Sequence, residues 1–152
     1  MNKRGISPVI ATLLLISFAV AIGVVVMTFG KAQVETQAQC PLNIGLKLSV
    51  ISGQKQICFD SSSNQIKFTI ENGANIAVDR LVANIIGTEK AETIEINNAK
   101  MEKVGSYVGK VSYNVQESGE IRQIKLTPAI TLYDEQQVCI EKALTIEKVP
   151  NC

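Results

Sequence analysis

Four cysteines, Cys40, Cys58, Cys139 and Cys152, are the side chains of this sequence best suited to chemistry of their own. Thiols can bind zinc, act as nucleophiles or pair as disulfides, and spacing helps to separate these cases. No two of the four form a CxxC or another close ligand pair, and the 152 residues include no histidine. A zinc site would therefore lack both the usual cysteine doublet and the commonest nitrogen ligand. An even number of cysteines in a domain outside the cytoplasm reads instead as two disulfides, each contributing about 2–4 kcal/mol by closing a long loop. Three pairings are possible. If the segment from Cys139 to Cys152 is one extended strand, its ends lie roughly 40 Å apart at about 3.3 Å per residue. A bridge needs Cα atoms within about 7 Å, which disfavours Cys139–Cys152 and with it Cys40–Cys58. Of the two pairings left, Cys40–Cys152 with Cys58–Cys139 is preferred, because it ties the chain end to the start of the domain. Cys40–Cys139 with Cys58–Cys152 is the alternative.

The other chemical possibilities are thin. Without histidine no Ser/His/Asp or Cys/His nucleophile set can form, and there is no glycine-rich phosphate loop. The carboxylate pairs Glu92 and Glu95, and Asp134 and Glu135, read as a solvated strand face and a turn. The expectation is a protein that is not an enzyme, with no cofactor and no catalytic or metal site. Fifteen basic and 14 acidic residues, without a basic stretch and with no tryptophan, also argue against nucleic acid as a partner.

The charges are segregated. Residues 6–30 contain no Asp, Glu, Lys or Arg, and only Lys3 and Arg4 precede them. As a helix this run would span roughly 37 Å, more than the ~30 Å hydrocarbon core of a bilayer. Lys3 and Arg4 would hold the extreme N-terminus in the cytoplasm and leave the rest outside. Pro8 suits a first helical turn and Ser7 can cap it. The expected helix runs from near Ser7 to about Gln39 and ends at Cys40-Pro41. Being apolar on every side, it must stay in lipid or be surrounded by copies of itself. Ala11, Ala19, Ala21 and Gly23 are small enough to let neighbouring helices approach closely.

Lys3-Arg4-Gly5 followed by Ile6-Ser7-Pro8-Val9-Ile10 and a long uncharged helix resembles the N-terminus of archaeal type IV pilins. The resemblance covers roughly residues 3–30. It implies a leader over residues 1–5, recognised through Lys3, Arg4, Gly5 and Ile6 and cut between Gly5 and Ile6 by a membrane-embedded prepilin peptidase. It implies that residues 6–39 pass from the membrane, through a pilus assembly machinery, into the core of a homo-oligomeric helical filament on the cell surface. Bacterial type IV pilins carry Glu at the fifth mature position, where this sequence has Ile10, which favours the archaeal branch. Archaellins, the motility-filament subunits, share the leader and helix but usually begin with a Gly-rich stretch, so an archaellin ranks second. A membrane-anchored external binding module that does not polymerise is the reading from a different class. No Asn-x-Ser/Thr acceptor for N-glycosylation is present.

Residues 40–152 read as an external domain of short strands. Leu42, Ile44, Leu46, Leu48 and Val50 alternate with polar positions, Ser52-Gly53 is a turn, and Lys55–Phe59 can return. After the polar loop 60–64, Ile66, Phe68 and Ile70 alternate again, and Asn72-Gly73 turns the chain. Further strands are expected over 76–86, interrupted near Asp79-Arg80, and over 93–97, 107–115, 124–132 and 138–149. Pro128 demotes the middle of the 124–132 segment to an edge or a bend. No stretch after Gln39 has convincing helical periodicity, and Lys90 to Met101 is the only ambiguous one. Seven to nine strands with turns at roughly 8–12-residue intervals predict an α+β chain: a long hydrophobic helix, then an all-β antiparallel sandwich, immunoglobulin-like in broad architecture.

Overall fold

The computed structural model describes residues 8–38, 40, 44–132 and 134–152. The chain divides into two units, an N-terminal helix and a β domain that begins at Cys40. The helix, α1, is described over Pro8–Ala38, and the expected cap Ser7 and end near Gln39 lie outside the described residues.

Among the described residues the domain carries eleven strands: β1 (Lys47–Leu48), β2 (Val50–Ile51), β3 (Gln54–Lys55), β4 (Ile57–Asp60), β5 (Gln65–Glu71), β6 (Arg80–Gly87), β7 (Ala91–Ile96), β8 (Ser106–Ser112), β9 (Ile121–Leu132), β10 (Glu135–Val138) and β11 (Leu144–Ile146). In one antiparallel sheet β5 is central, with β8 on one side and β4 and β1 end to end on the other. In the second the order is β7-β6-β9, with β10 and β11 end to end along the far side of β9. The inner faces supply one continuous core. Ile66, Phe68 and Ile70 of β5 belong to it with Leu81, Ala83 and Ile85 of β6 and Ile124, Leu126 and Ile130 of β9. The period-2 spacing of these residues puts one face of each strand inward.

Several local expectations change. The alternating run beginning at Leu42 does not make one strand: Ile44 and Leu48 are buried, but Val50 is 56% exposed. After β1 the chain leaves the sheet and forms the separate β2–β3 hairpin, whose turn residues Ser52 and Gly53 both have positive φ (52° and 78°). Two successive positive φ values are what a tight hairpin turn of the right twist requires. Asn72-Gly73 does not close a hairpin. It begins the crossing from β5 to β6, where the Asn72 amide donates to Ile76 O (2.7 Å) and Glu102 O (3.1 Å) and ties two loops together. The expected strand from residue 107 to 115 stops at Ser112. Asn114 then caps a single helical turn, α2 (Val115–Ser118), accepting from the Gln116 N–H at 3.0 Å.

Pro128 overturns its expectation most clearly. It lies in β9, the centre of the larger sheet, opposite Leu81 of β6. Its carbonyl accepts from Cys139 N (2.8 Å), so its missing N–H faces that same side. The Cys139 carbonyl, which that N–H would have served, accepts instead from Lys142 N (3.1 Å) in the 3-10 turn Ile140–Lys142. The proline sits where β10 ends and before β11 begins, and no ladder bond is lost. The same turn breaks the single strand expected over 138–149.

Candidate assembly helix and disulfide pairs

The helical segment Pro8–Gly30 is long and apolar enough to cross a membrane, which is compatible with a membrane anchor or a signal sequence. Its large side chains are exposed all round the cylinder, Leu15 at 73% and Val9, Phe18 and Met27 comparably. Its hydroxyls find acceptors inside the helix. Thr12 donates to Val9 O (2.9 Å), Ser17 to Leu13 O (2.9 Å) and Thr28 to Val24 O. Those polar groups therefore need no water, as an apolar surrounding demands.

Ala11, Ala19, Ala21 and Gly23 all lie exposed on this helix, and they do not share one face. Ala19 and Gly23 are four residues apart and stack along one side, where Thr12 and Gly30 continue the row. Ala11 lies about 80° round from Ala19 at about 100° per residue. Ala21 falls on the opposite side with Ser17 and Thr28. A Cβ added at Gly23 or Gly30 would meet nothing within 4 Å, so no contact inside the described chain requires either glycine. Lys3, Arg4, Gly5 and Ile6, expected to form a leader and its cleavage site, lie outside the described residues.

The four cysteines form two bridges, but in the alternative pairing. Cys40 is joined to Cys139 (Cα–Cα 5.6 Å) and Cys58 to Cys152 (4.9 Å). The preferred Cys40–Cys152 and Cys58–Cys139 pairing fails because of where the last residues run. Beyond β11 the chain crosses to the other sheet and lies parallel to β4. Phe59 N donates to Pro150 O (2.8 Å), and Cys152 N donates to Phe59 O (2.9 Å). Cys152 therefore arrives beside Cys58, while Cys139 stays against Pro128 on the second sheet. Cys58–Cys152 closes the outer edge of β4, and Cys40–Cys139 ties the start of the domain to the end of β10. Cys139 is fully buried, Cys58 half-buried and Cys152 exposed.

The carboxylates do not gather into a site. Glu92 is paired with Ile85 and so shares its inner face, where it accepts from the Ser118 hydroxyl. Glu95, three residues on, faces the other way and meets Arg80 Nη1 at 3.0 Å. Asp134 lies in the β9–β10 turn at positive φ, and Glu135 is exposed in β10. No group of three or more His, Cys, Asp or Glu that could hold a metal occurs among the described residues.

Sequence reading also passed over a packed corner. Tyr113 is buried, packs edge-on against Phe59, and donates to Gly119 O at 2.8 Å. Burial, with Glu92 nearby, pushes its phenol above the ordinary tyrosine value. Gly87 faces Ser118 O and the Tyr113 hydroxyl so closely that a Cβ could not fit. The signals were present, an isolated tyrosine near two glycines, but only the fold brings residues 87, 113 and 119 together. Compared with protein-family models, curated proteins and solved structures, the chain finds no match.

Proposed function

We propose that this chain is a structural subunit of an archaeal type IV pilus-like filament on the cell surface, serving attachment. The observation that carries the reading is the segment Pro8–Gly30: uncharged, exposed on every side, and with its hydroxyls bonded internally. Such a helix must be covered by lipid or by other helices. Small residues on two opposite sides, Ala19 and Gly23 on one and Ala21 on the other, suit a helix with neighbours on both sides. The leader Lys3-Arg4-Gly5 and the following Ile6-Ser7-Pro8-Val9-Ile10 add the resemblance to archaeal pilins. The β domain, kin to immunoglobulin-like sandwiches in this reading, would form the outer surface, and its two disulfides suit an oxidising exterior. The chain would be non-catalytic. Its partners would be the membrane, a prepilin peptidase, the assembly machinery and further copies of itself.

The test is processing followed by assembly. Full-length chain in membranes, incubated with an archaeal prepilin peptidase, should lose residues 1–5 and begin at Ile6 by mass spectrometry. Electron microscopy of cells expressing it should show filaments containing the cut form. A subunit beginning at Met1, or beyond Lys31, overturns the pilin reading. An uncut chain resident in the bilayer would make it an anchored module instead.

A further inference from the structure

The two sheets leave four flanking edges, and three of them are guarded. The outer edge of β4 is occupied by the C-terminal residues, through Phe59 and Asn151, and is closed by the Cys58–Cys152 bridge. On the far side of the second sheet the edge is broken into two short strands, β10 and β11, separated by the 3-10 turn. β7 carries Glu92 pointing inward, a charge that a pairing strand would have to bury. β8 differs. Its inward positions are Tyr107, Gly109 and Val111, with no charge among them.

The hydrogen-bond register shows which of its backbone groups are free. Tyr113 N donates to Asn64 O, and Asn72 N donates to Gly105 O, both at the two ends of the β5–β8 ladder. In an antiparallel ladder every second residue faces the partner. The odd-numbered residues of β8 therefore face β5, and Ser106, Val108, Lys110 and Ser112 turn their N–H and C=O groups outward. Among the described residues none of these four has another backbone partner. Their side chains are exposed on the outer face of the sheet, Val108 at 71%, so they do not cover the edge. Beside the edge lies an open cleft of about 440 Å³ between β7 and β8, lined by Ile94, Ile96, Lys110 and Val111 among others.

We infer that β8 is a self-docking edge, at which a second copy of this chain pairs antiparallel through its own β8. The sequence of the strand meets the two-fold requirement. With the axis at Gly109, Ser106 lies opposite Ser112 of the second copy and Val108 opposite Lys110. All four outward residues then meet outward residues, and no like charges stand opposite. A β7–β7 pairing would bury Glu92 twice. A short strand pair is weak alone and gains from many copies held together. Resting on the filament reading, the contact has a defined place: an isologous pair cannot repeat along a polar filament, so it joins one filament to its neighbour.

The test uses full-length chain, first in detergent micelles over a range of concentrations and then, where filaments form, in filaments. On pairing, amides of residues 106, 108, 110 and 112 should exchange with solvent about tenfold more slowly or better, while those of 107, 109 and 111 are protected in both states. Val108→Pro removes one outward donor and leaves the β5 ladder whole. It should keep both disulfides and the wild-type melting temperature but lose pairing in micelles and bundling of filaments, whereas Val108→Ala keeps them. Wild-type chain that stays monomeric at every concentration overturns the inference, whether or not filaments form. So does a Val108→Pro variant that pairs like wild type. Filaments that fail to form while micellar pairing persists would overturn the filament reading alone.

Discussion

The helix and the β domain use the same residue types to opposite ends. Leu15 of the helix is 73% exposed, whereas Leu81 and Leu126 of the domain are wholly buried. In the domain, apolar residues alternate with polar ones, so each strand has an inside and an outside and the two sheets can cover each other within one chain. In Pro8–Gly30 no polar face exists, and one helix cannot cover itself. The difference teaches where each unit finds its stability: the domain in its own core and bridges, the helix only in its surroundings. A change on one side of that divide should leave the other nearly untouched.

The strongest way to break the comparison is a charge in the helix. Ala19→Asp costs about 2.5–3.5 kcal/mol in lipid by insertion scales, and in a filament every subunit would carry an unpaired buried charge. It should abolish filaments by electron microscopy while the domain keeps its disulfides. Lys47→Asp, at an exposed ion pair with Glu71 (3.1 Å), should still assemble. Ala19→Asp filaments as abundant as wild type would sink the helical-core proposal.

The reciprocal experiment cuts into the domain. Leu126→Ala, at a side chain with no exposed surface, should cost about 2–5 kcal/mol and lower the melting temperature of the domain. Membrane insertion of the helix, read by fractionation, should not change.

Removing the Cys58–Cys152 bridge by Cys152→Ser should cost about 2–4 kcal/mol. The two bridges also differ in access. Under mild reductant and native conditions, Cys58 and Cys152 should be alkylated before Cys40 and Cys139, because Cys152 is exposed and Cys139 is fully buried. Simultaneous labelling of all four would mean that the bridges open only with the whole domain.

Acid should have the smallest effect, and should reach only the domain. The Lys67 ammonium at 2.7 Å, with Ser62, holds the Asp60 carboxyl well below the usual carboxylate range. Hydrogen bonds from Ser49 and then Lys47 lower Glu71, and Lys90 lowers Glu117. A folded-state pKa below the unfolded value contributes stability at neutral pH that is lost progressively as pH falls from about 5 through the unfolded carboxylate range. The melting temperature should decline on acidification from about pH 5, and Asp60→Asn should flatten the slope. An unchanged slope in that variant would remove Asp60 from the account.

Much of this was legible in residue order, and the reason is locality. An uncharged run of 25 residues predicts an apolar helix from composition alone, and Pro8–Gly30 within it is helical. Ile66, Phe68 and Ile70 share a face because the strand repeat is a property of the backbone, and Ser52-Gly53 turns because of its own φ preferences. The tertiary structure decided whatever depends on neighbours distant in sequence. Pro128 is tolerated in a central strand because Lys142, fourteen residues on, takes over the carbonyl that proline cannot serve. Cys58 finds Cys152, 94 residues away, only because the chain end crosses to the other sheet and runs beside β4. The open edge of β8 is invisible in its own seven residues, since an edge is defined by the strand that is missing beside it. Periodicity records which way a side chain points; only the packing of the two sheets determines what it meets.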